Sequence, residues 1–308
     1  MRSTAVIIIT LLFLSGCGSQ EPPVPAAAAA ATPFLTALGR ISATDNTRKQ
    51  IVFSETAAMV KLTEGRWSQM AARGAQPFGP EMEQFGIVTK AANWSITAGA
   101  APSHVMIIDG GQDTALVKSS LQKLGYTLDG DILKAPTDYH EALTASIAPL
   151  LPQARATGSD VLVAGRSGTF TDVTTDAGTS LAADARVKAI VDCLGDVVTA
   201  DVYTTFKAVP AVAVGVRRPQ TSAATAQAVV CTAWTSTDAA KVAASQQENA
   251  YATGSSRRSQ KAYNSMYSAV TVKVLDGPQH LVQVLSTAGS PSYVFDQLNT
   301  RDLPGVPL

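Results

Sequence analysis

Two Asp-Gly pairs, Asp129-Gly130 and Asp276-Gly277, each stand between two short apolar runs. They constrain the fold more than any other feature. Such a pair readily takes the left-handed backbone of a two-residue hairpin turn, so each site predicts two tightly joined antiparallel strands. The first hairpin joins Tyr126 to Leu128 with Ile132 to Leu133, and the second joins Ala269 to Leu275 with Leu281 to Leu285. In the second, Val270, Val272 and Val274 alternate with Thr271 and Lys273, the pattern of a strand buried on one face.

The order of elements before the two turns also recurs. Asn93 to Ala98 and Val105 to Ile108 read as strands, and Asp113 then opens a helix whose Val117, Leu121 and Leu124 share a face until Gly125 ends it. Further on, Ala211 to Val216 and Ala228 to Trp234 read as strands ahead of a helix from Asp238 to about Asn249. The pattern predicts an α+β fold of mainly antiparallel sheets with packed helices, in two related ββαββ modules over residues 34–155 and 156–308. The second copy would carry an insertion near Ala250 to Tyr267.

Elsewhere, Ile51 to Phe53 reads as a strand followed by a helix from Ser54 to Leu62 with Ser54 as its cap. A helix from Tyr139 to about Ala148 opens on Asp138-x-x-Glu141, and Asp160 to Ala164 is a strand. Between Ser180 and Leu194, Val187, Ile190, Val191 and Leu194 follow helical spacing, and Gly195 closes that helix. With 46% hydrophobic and only 16% charged residues, the chain has the composition of a packed globule. Its 24 basic and 24 acidic side chains balance, which gives no attraction to nucleic acid.

At the N-terminus, Arg2 precedes an apolar run from Ala5 to Leu14, half the roughly 20 residues that a helix needs to cross a bilayer. The run ends in Leu14-Ser15-Gly16-Cys17, which resembles the lipobox of bacterial lipoproteins. That resemblance implies removal of residues 1–16 as a signal peptide and lipidation of Cys17, which would hold the protein on the cell membrane facing away from the cytoplasm. Residues 17–33, rich in alanine and proline, read as a tether. Leu181-Ala182-Ala183-Asp184, Asp192-Cys193-Leu194-Gly195-Asp196 and the downstream Cys231 add a similarity to predicted lipoproteins of high-GC actinobacteria, which brings no activity with it. With Cys17 modified, Cys193 and Cys231 remain as an even pair in an exported chain, which predicts a disulfide, two buried thiols being the alternative.

A search for chemistry ends in structural readings. His104, His140 and His280 form no metal-binding pair, and the Asp138, His140, Glu141 group falls in a first helical turn, where carboxylates cap backbone donors. Gly165-Arg166-Ser167-Gly168-Thr169 lacks the second glycine of a nucleophile elbow. Gly110-Gly111 lacks a phosphate-loop signature, and Asp129-Gly130-Asp131 lacks the rest of a calcium loop. Arg217-Arg218 and Arg257-Arg258 with Lys261 are exposed cations that together would suit an anionic wall polymer or headgroup, while Trp67, Trp94 and Trp234 read as core or rim aromatics.

The expectation is a non-enzymatic, membrane-anchored envelope protein that needs no cofactor or metal. Its partner would be an envelope protein, a wall polymer or an apolar ligand. A carrier of lipid or another apolar ligand is the second reading, and a wall hydrolase the third.

Overall fold

The computed structural model describes residues 32–76, 78–138, 142–173 and 176–308. Among them, twelve strands make one antiparallel sheet: β1(Gln50–Ser54), β2(Trp94–Ala98), β3(Val105–Asp109), β4(Thr127–Asp129), β5(Ile132–Lys134), β6(Gln153–Thr157), β7(Asp160–Ala164), β8(Val197–Tyr203), β9(Ala211–Arg217), β10(Ala226–Ala233), β11(Tyr267–Val274) and β12(Leu281–Ala288). Across the sheet the order is β11-β12-β10-β9-β8-β1-β2-β3-β7-β6-β5-β4. The described α-helices are α1(Pro33–Leu38), α2(Thr56–Leu62), α3(Ser68–Ala71), α4(Thr114–Lys123), α5(Ala142–Ile147), α6(Ala185–Leu194), α7(Thr237–Thr253), α8(Tyr263–Met266) and α9(Tyr293–Asn299). The fold class is therefore α+β, as the hairpins and helical faces predict. None of the described helices is long and apolar enough to cross a membrane.

The two halves meet in the middle of this sheet through the antiparallel β1–β8 pair. Outward from that pair the order is β1-β2-β3-β7-β6 on one side and β8-β9-β10-β12-β11 on the other, with α4 following β3 and α7 following β10. The counterpart of the β11–β12 hairpin is thus β6–β7, which turns at Gly158, and not β4–β5 around Asp129-Gly130. Hairpin β4–β5 and α5 are an insertion that lengthens one edge of the sheet. A division after residue 155 falls inside β6, whose register with β7 runs from Gln153↔Ala164 to Thr157↔Asp160.

Local chemistry sets the helix ends. The Asp113 carboxylate accepts from Leu116 N–H at 2.9 Å and starts α4, and Gly125 beyond its end has φ +85°. Helix α6 begins at Ala185, later than the Ser180 bound expected from the sequence, because Asp184 caps it by accepting from Arg186 and Val187 N–H at 3.1 and 3.0 Å. Similarly, α7 starts on Ser236, whose hydroxyl accepts from Ala239 N–H at 3.1 Å, two residues before Asp238. Ser54 does not cap α2. It ends β1, and its hydroxyl pairs with that of Ser95 at 3.0 Å.

Both faces of the sheet carry apolar clusters. One face holds a single cluster with α1 and α6, in which Phe34 stacks on Phe53 with ring centroids 4.6 Å apart. The opposite face holds two large ones, one around Val214, Tyr251 and Phe295 and one around Met82, Val117 and Leu121, and a small one where Ala240 and Ala243 of α7 meet Val282. Between the two large ones, the central strands present a polar seam of Ser54, Ser95, Thr97, Thr199 and Asp201. The Cys193–Cys231 disulfide ties α6 to β10 across a sequence separation of 38, with both cysteines buried.

Candidate functional site

A 3-10 turn at Arg73–Ala75 sits on this polar seam. Gly74 N–H donates to Ser54 Oγ at 3.0 Å, and Thr97 Oγ1 donates to the Gly74 carbonyl at 2.8 Å. Arg73 forms an ion pair with Asp201, whose side chain is 1% exposed, and its guanidinium lies 4.1 Å from the centroid of the Phe295 ring. Burial raises the Asp201 carboxyl above the ordinary carboxylate value, and the charge of Arg73 only partly opposes this. On the same strand, burial first and the Asp201 charge second push the Tyr203 hydroxyl up to about 12. This closed arrangement holds chain to chain; the turn covers it and leaves no opening for a ligand at Gly74, where a Cβ would lie 2.1 Å from the Ser95 carbonyl oxygen.

A more open site lies at the end of the sheet where β10 and β11 begin and β12 finishes. Ala226 of β10 pairs with Ala288 of β12, which pairs with Tyr267 of β11. Over this row opens a cleft of about 370 Å³. Its apolar lining comes from Trp67, Met266, Tyr267, Ala288 and Pro291. Polar groups come from Arg66, Thr225, Asn264, Ser265, Ser268 and Thr287, with one cation and no carboxylate among the lining residues.

Several local devices build this cleft. Thr63 Oγ1 donates to the Met59 carbonyl at 2.7 Å and accepts from Trp67 N–H at 3.3 Å, closing α2 and fixing the next turn. Glu64 and Gly65, with φ +50° and +79°, carry the chain through left-handed backbone so that Arg66 and Trp67 follow directly. Arg66 Nη2 then donates to the Ala224 carbonyl at 3.2 Å, which holds the guanidinium beside the start of β10. On the other side, Asn264 Nδ2 donates to the Ala252 carbonyl at 2.9 Å. The β11–β12 register shifts between Ser268 and Thr271, where Ala269 has φ +50°; such a bulge re-aims side chains beside it.

What these side chains leave unmade matters most. Among the described residues, the hydroxyls of Thr225, Ser268 and Thr287 and the indole N–H of Trp67 have no protein hydrogen bond. Trp67 is only 5% exposed, and a tryptophan so enclosed normally gives its N–H to an acceptor. By contrast, the indole of Trp234 donates to Thr232 Oγ1 at 2.9 Å. Tyr267 turns its hydroxyl inward to Gln297 Oε1 at 2.8 Å and presents the cleft with an aromatic wall.

The remaining sequence candidates have other partners. Arg218 pairs with Glu55 and Asp196, and Arg217 Nε donates to the Leu194 carbonyl at the end of α6 at 3.2 Å. Arg257 bonds the Arg301 carbonyl at 3.2 Å, so three of the four arginines have partners in separate networks. Arg258 and Lys261 line a smaller cleft of about 310 Å³ on the other side of Met266, which also contains Asp296 and Asp302. Burial opposes ionisation of Asp302, but hydrogen bonds from Ser256, Arg257 N–H, Tyr263 and Arg258 N–H outweigh it and hold the carboxyl below its usual value.

His104 packs against the Gly165–Thr169 segment, whose Gly165 N–H donates to its carbonyl at 2.9 Å, and burial lowers its imidazole pKa. No hydrogen bond joins His104 to Ser167 among the described residues. Gly110 N–H bonds Asp160 Oδ1 at 2.9 Å, and a Cβ on Gly111 would lie 2.3 Å from the Ala91 carbonyl oxygen. Asp129 pairs with Lys134 and Asp131 with Arg155. His280 meets Thr237 Oγ1 at 3.1 Å, and Trp94 lies beneath Arg40. Cys17, His140 and Glu141 lie outside the described residues. Among the described residues, no three His, Cys, Asp or Glu side chains could hold a metal ion.

Sequence reasoning took Trp67, with Trp94 and Trp234, as a core or rim aromatic and missed Arg66, which belongs to no motif. Its one signal is the Glu64-Gly65 turn immediately before an Arg-Trp pair. The fold and cleft define an antiparallel α+β body with a mixed aromatic and polar surface site. No protein-family model, curated protein or solved structure matches the chain.

Proposed function

We propose that this chain is a lipid-anchored protein of the bacterial envelope, which binds a partner or ligand outside the cytoplasmic membrane and catalyses no reaction. The carrying observation is the buried Cys193–Cys231 disulfide, since such bridges persist in oxidising compartments and are rare in the cytosol. It agrees with the lipobox reading of Leu14-Ser15-Gly16-Cys17, in which lipid on Cys17 is the membrane contact. A surface binding role is favoured over a container for apolar ligands because both faces of the sheet are already packed with helices and apolar side chains.

Growth in labelled palmitate tests the anchor. Label should appear in the wild-type membrane fraction and disappear in Cys17→Ala, whereas an unlabelled, freely soluble wild-type product would reject anchoring. A panel of esters, glycosides and peptides should show no turnover above buffer. Turnover abolished by substituting a cleft residue would reject the non-enzymatic part.

A further inference from the structure

We infer that the cleft between Arg66, Trp67 and the start of β11 binds a saccharide unit carrying one anionic group. The inference rests on the binding role proposed above and specifies the ligand class. Three observations lead to it. First, the lining combines an aromatic and apolar floor with polar groups from four separate segments: residues 66–67, 224–226, 264–268 and 287–291. A ligand with an apolar face and several hydroxyls matches that division, as a sugar ring does. At about 370 Å³ the cleft is near the small end of ligand sites, which suits one or two rings better than an extended peptide.

Second, four of the polar side chains that line the cleft are uncommitted, although Asn264 and Ser265 donate to the Ala252 and Ala262 carbonyls. Thr225, Ser268 and Thr287 each offer a hydroxyl that can donate or accept, and the Trp67 indole offers a donor, none of them hydrogen-bonded to protein among the described residues. Groups able to reverse their hydrogen-bond role suit neighbouring sugar hydroxyls, which have the same freedom. Third, the only charge in the lining is Arg66, which has no carboxylate partner among the described residues and uses one N–H on the Ala224 carbonyl. Its other guanidinium N–H groups remain for an anion, and an arginine fork matches a carboxylate or phosphate in two parallel hydrogen bonds. The neighbouring cleft contains Asp296 and Asp302 and lacks this single-sign character.

Calorimetry on the full lipidated chain in non-ionic detergent tests the assignment with cellobiouronic acid and cellobiose, which differ by a carboxylate at one ring. The acid should bind about tenfold more tightly, as one charge-assisted pair predicts. Glucose 6-phosphate against glucose reads the same preference for phosphate. Arg66→Gln should erase the preference for the acid. Near-ultraviolet circular dichroism checks that the variant stays folded. Equal affinity for acid and neutral sugar, binding of neither acid, or a preference that survives Arg66→Gln would overturn the inference. Palmitate label is read on the same preparation. Absent binding with label intact rejects the saccharide assignment alone, and absent label rejects the anchoring reading.

Discussion

Replacing Arg73 by methionine should unfold this protein several degrees earlier, and the loss should shrink in acid. Arg73 is the cation of the ion pair that holds the 3-10 turn on the polar seam, with side-chain exposures of 12% for Arg73 and 1% for Asp201. Methionine keeps an unbranched apolar side chain but removes the guanidinium that lies over the Phe295 ring, so Asp201 would stay in the seam without a counter-ion. Breaking one partner from a buried pair typically costs about 3–5 kcal/mol. At roughly 2–4 °C per kcal/mol for a domain of this size, the melting temperature should fall by about 6–20 °C.

The pH dependence follows from the direction of the Asp201 shift. Its folded value is raised by burial, so between the unfolded and folded values the native state holds a proton that the unfolded chain has released. Stability therefore falls as pH rises through that window, and loss of Arg73 extends the window upward. Urea unfolding followed by circular dichroism should give Arg73→Met a smaller deficit at pH 5 than at pH 7.5. The double variant Arg73→Met/Asp201→Val should recover most of the loss and show no such dependence. A single variant within about 1 kcal/mol of wild type at pH 7.5, or a deficit equal at both pH values, would refute the reasoning.

Two further perturbations test other joints. Replacing Cys193 and Cys231 together by alanine opens a loop of 38 residues, for which chain entropy predicts a loss of about 4 kcal/mol in urea unfolding; a change under about 1 kcal/mol would show that the bridge adds little. Gly74→Ala would drive a Cβ to 2.1 Å from the Ser95 carbonyl oxygen and lift the turn from the sheet. It should cost about 1–3 kcal/mol by thermal unfolding, and unchanged stability would mean that the turn moves freely.

The hairpins and capped helices were legible because their determinants are local. Strand β7 spans Asp160–Ala164 as its apolar run predicts, and Asp113 caps α4 through its own side chain. Long-range pairing was not legible. No residue in β4 or β5 announces that β6–β7 will stand next to β3, because that choice depends on how whole hairpins share the apolar cluster around Ile108, Val161 and Val163. Strand β6 escaped notice because its buried side chains are the small Ala154 and Ala156, too weak a signal between Gln153, Arg155 and Thr157. The binding cleft was illegible for a related reason: its lining residues come from segments that only tertiary folding brings together.

Strand β8 escaped for the opposite reason, since Asp201 interrupts its apolar run and carries a charge that argues against a central strand. That same carboxylate fixes the register. In the observed pairing, Val52 stands opposite Asp201, so Asp201 faces Arg73 while its neighbours Ala200 and Val202 face the cluster under α1 and α6. A slip of one residue would reverse every side chain of β8, placing the carboxylate among Phe34, Phe53 and Leu194 with no cation and the apolar neighbours on the seam. An unpaired carboxylate in such surroundings costs several kcal/mol, whereas alanines and valines alone would leave the two registers close in energy. The two halves share a strand order and meet only here within the sheet, so the charge that obscures β8 in the sequence also selects how the halves join.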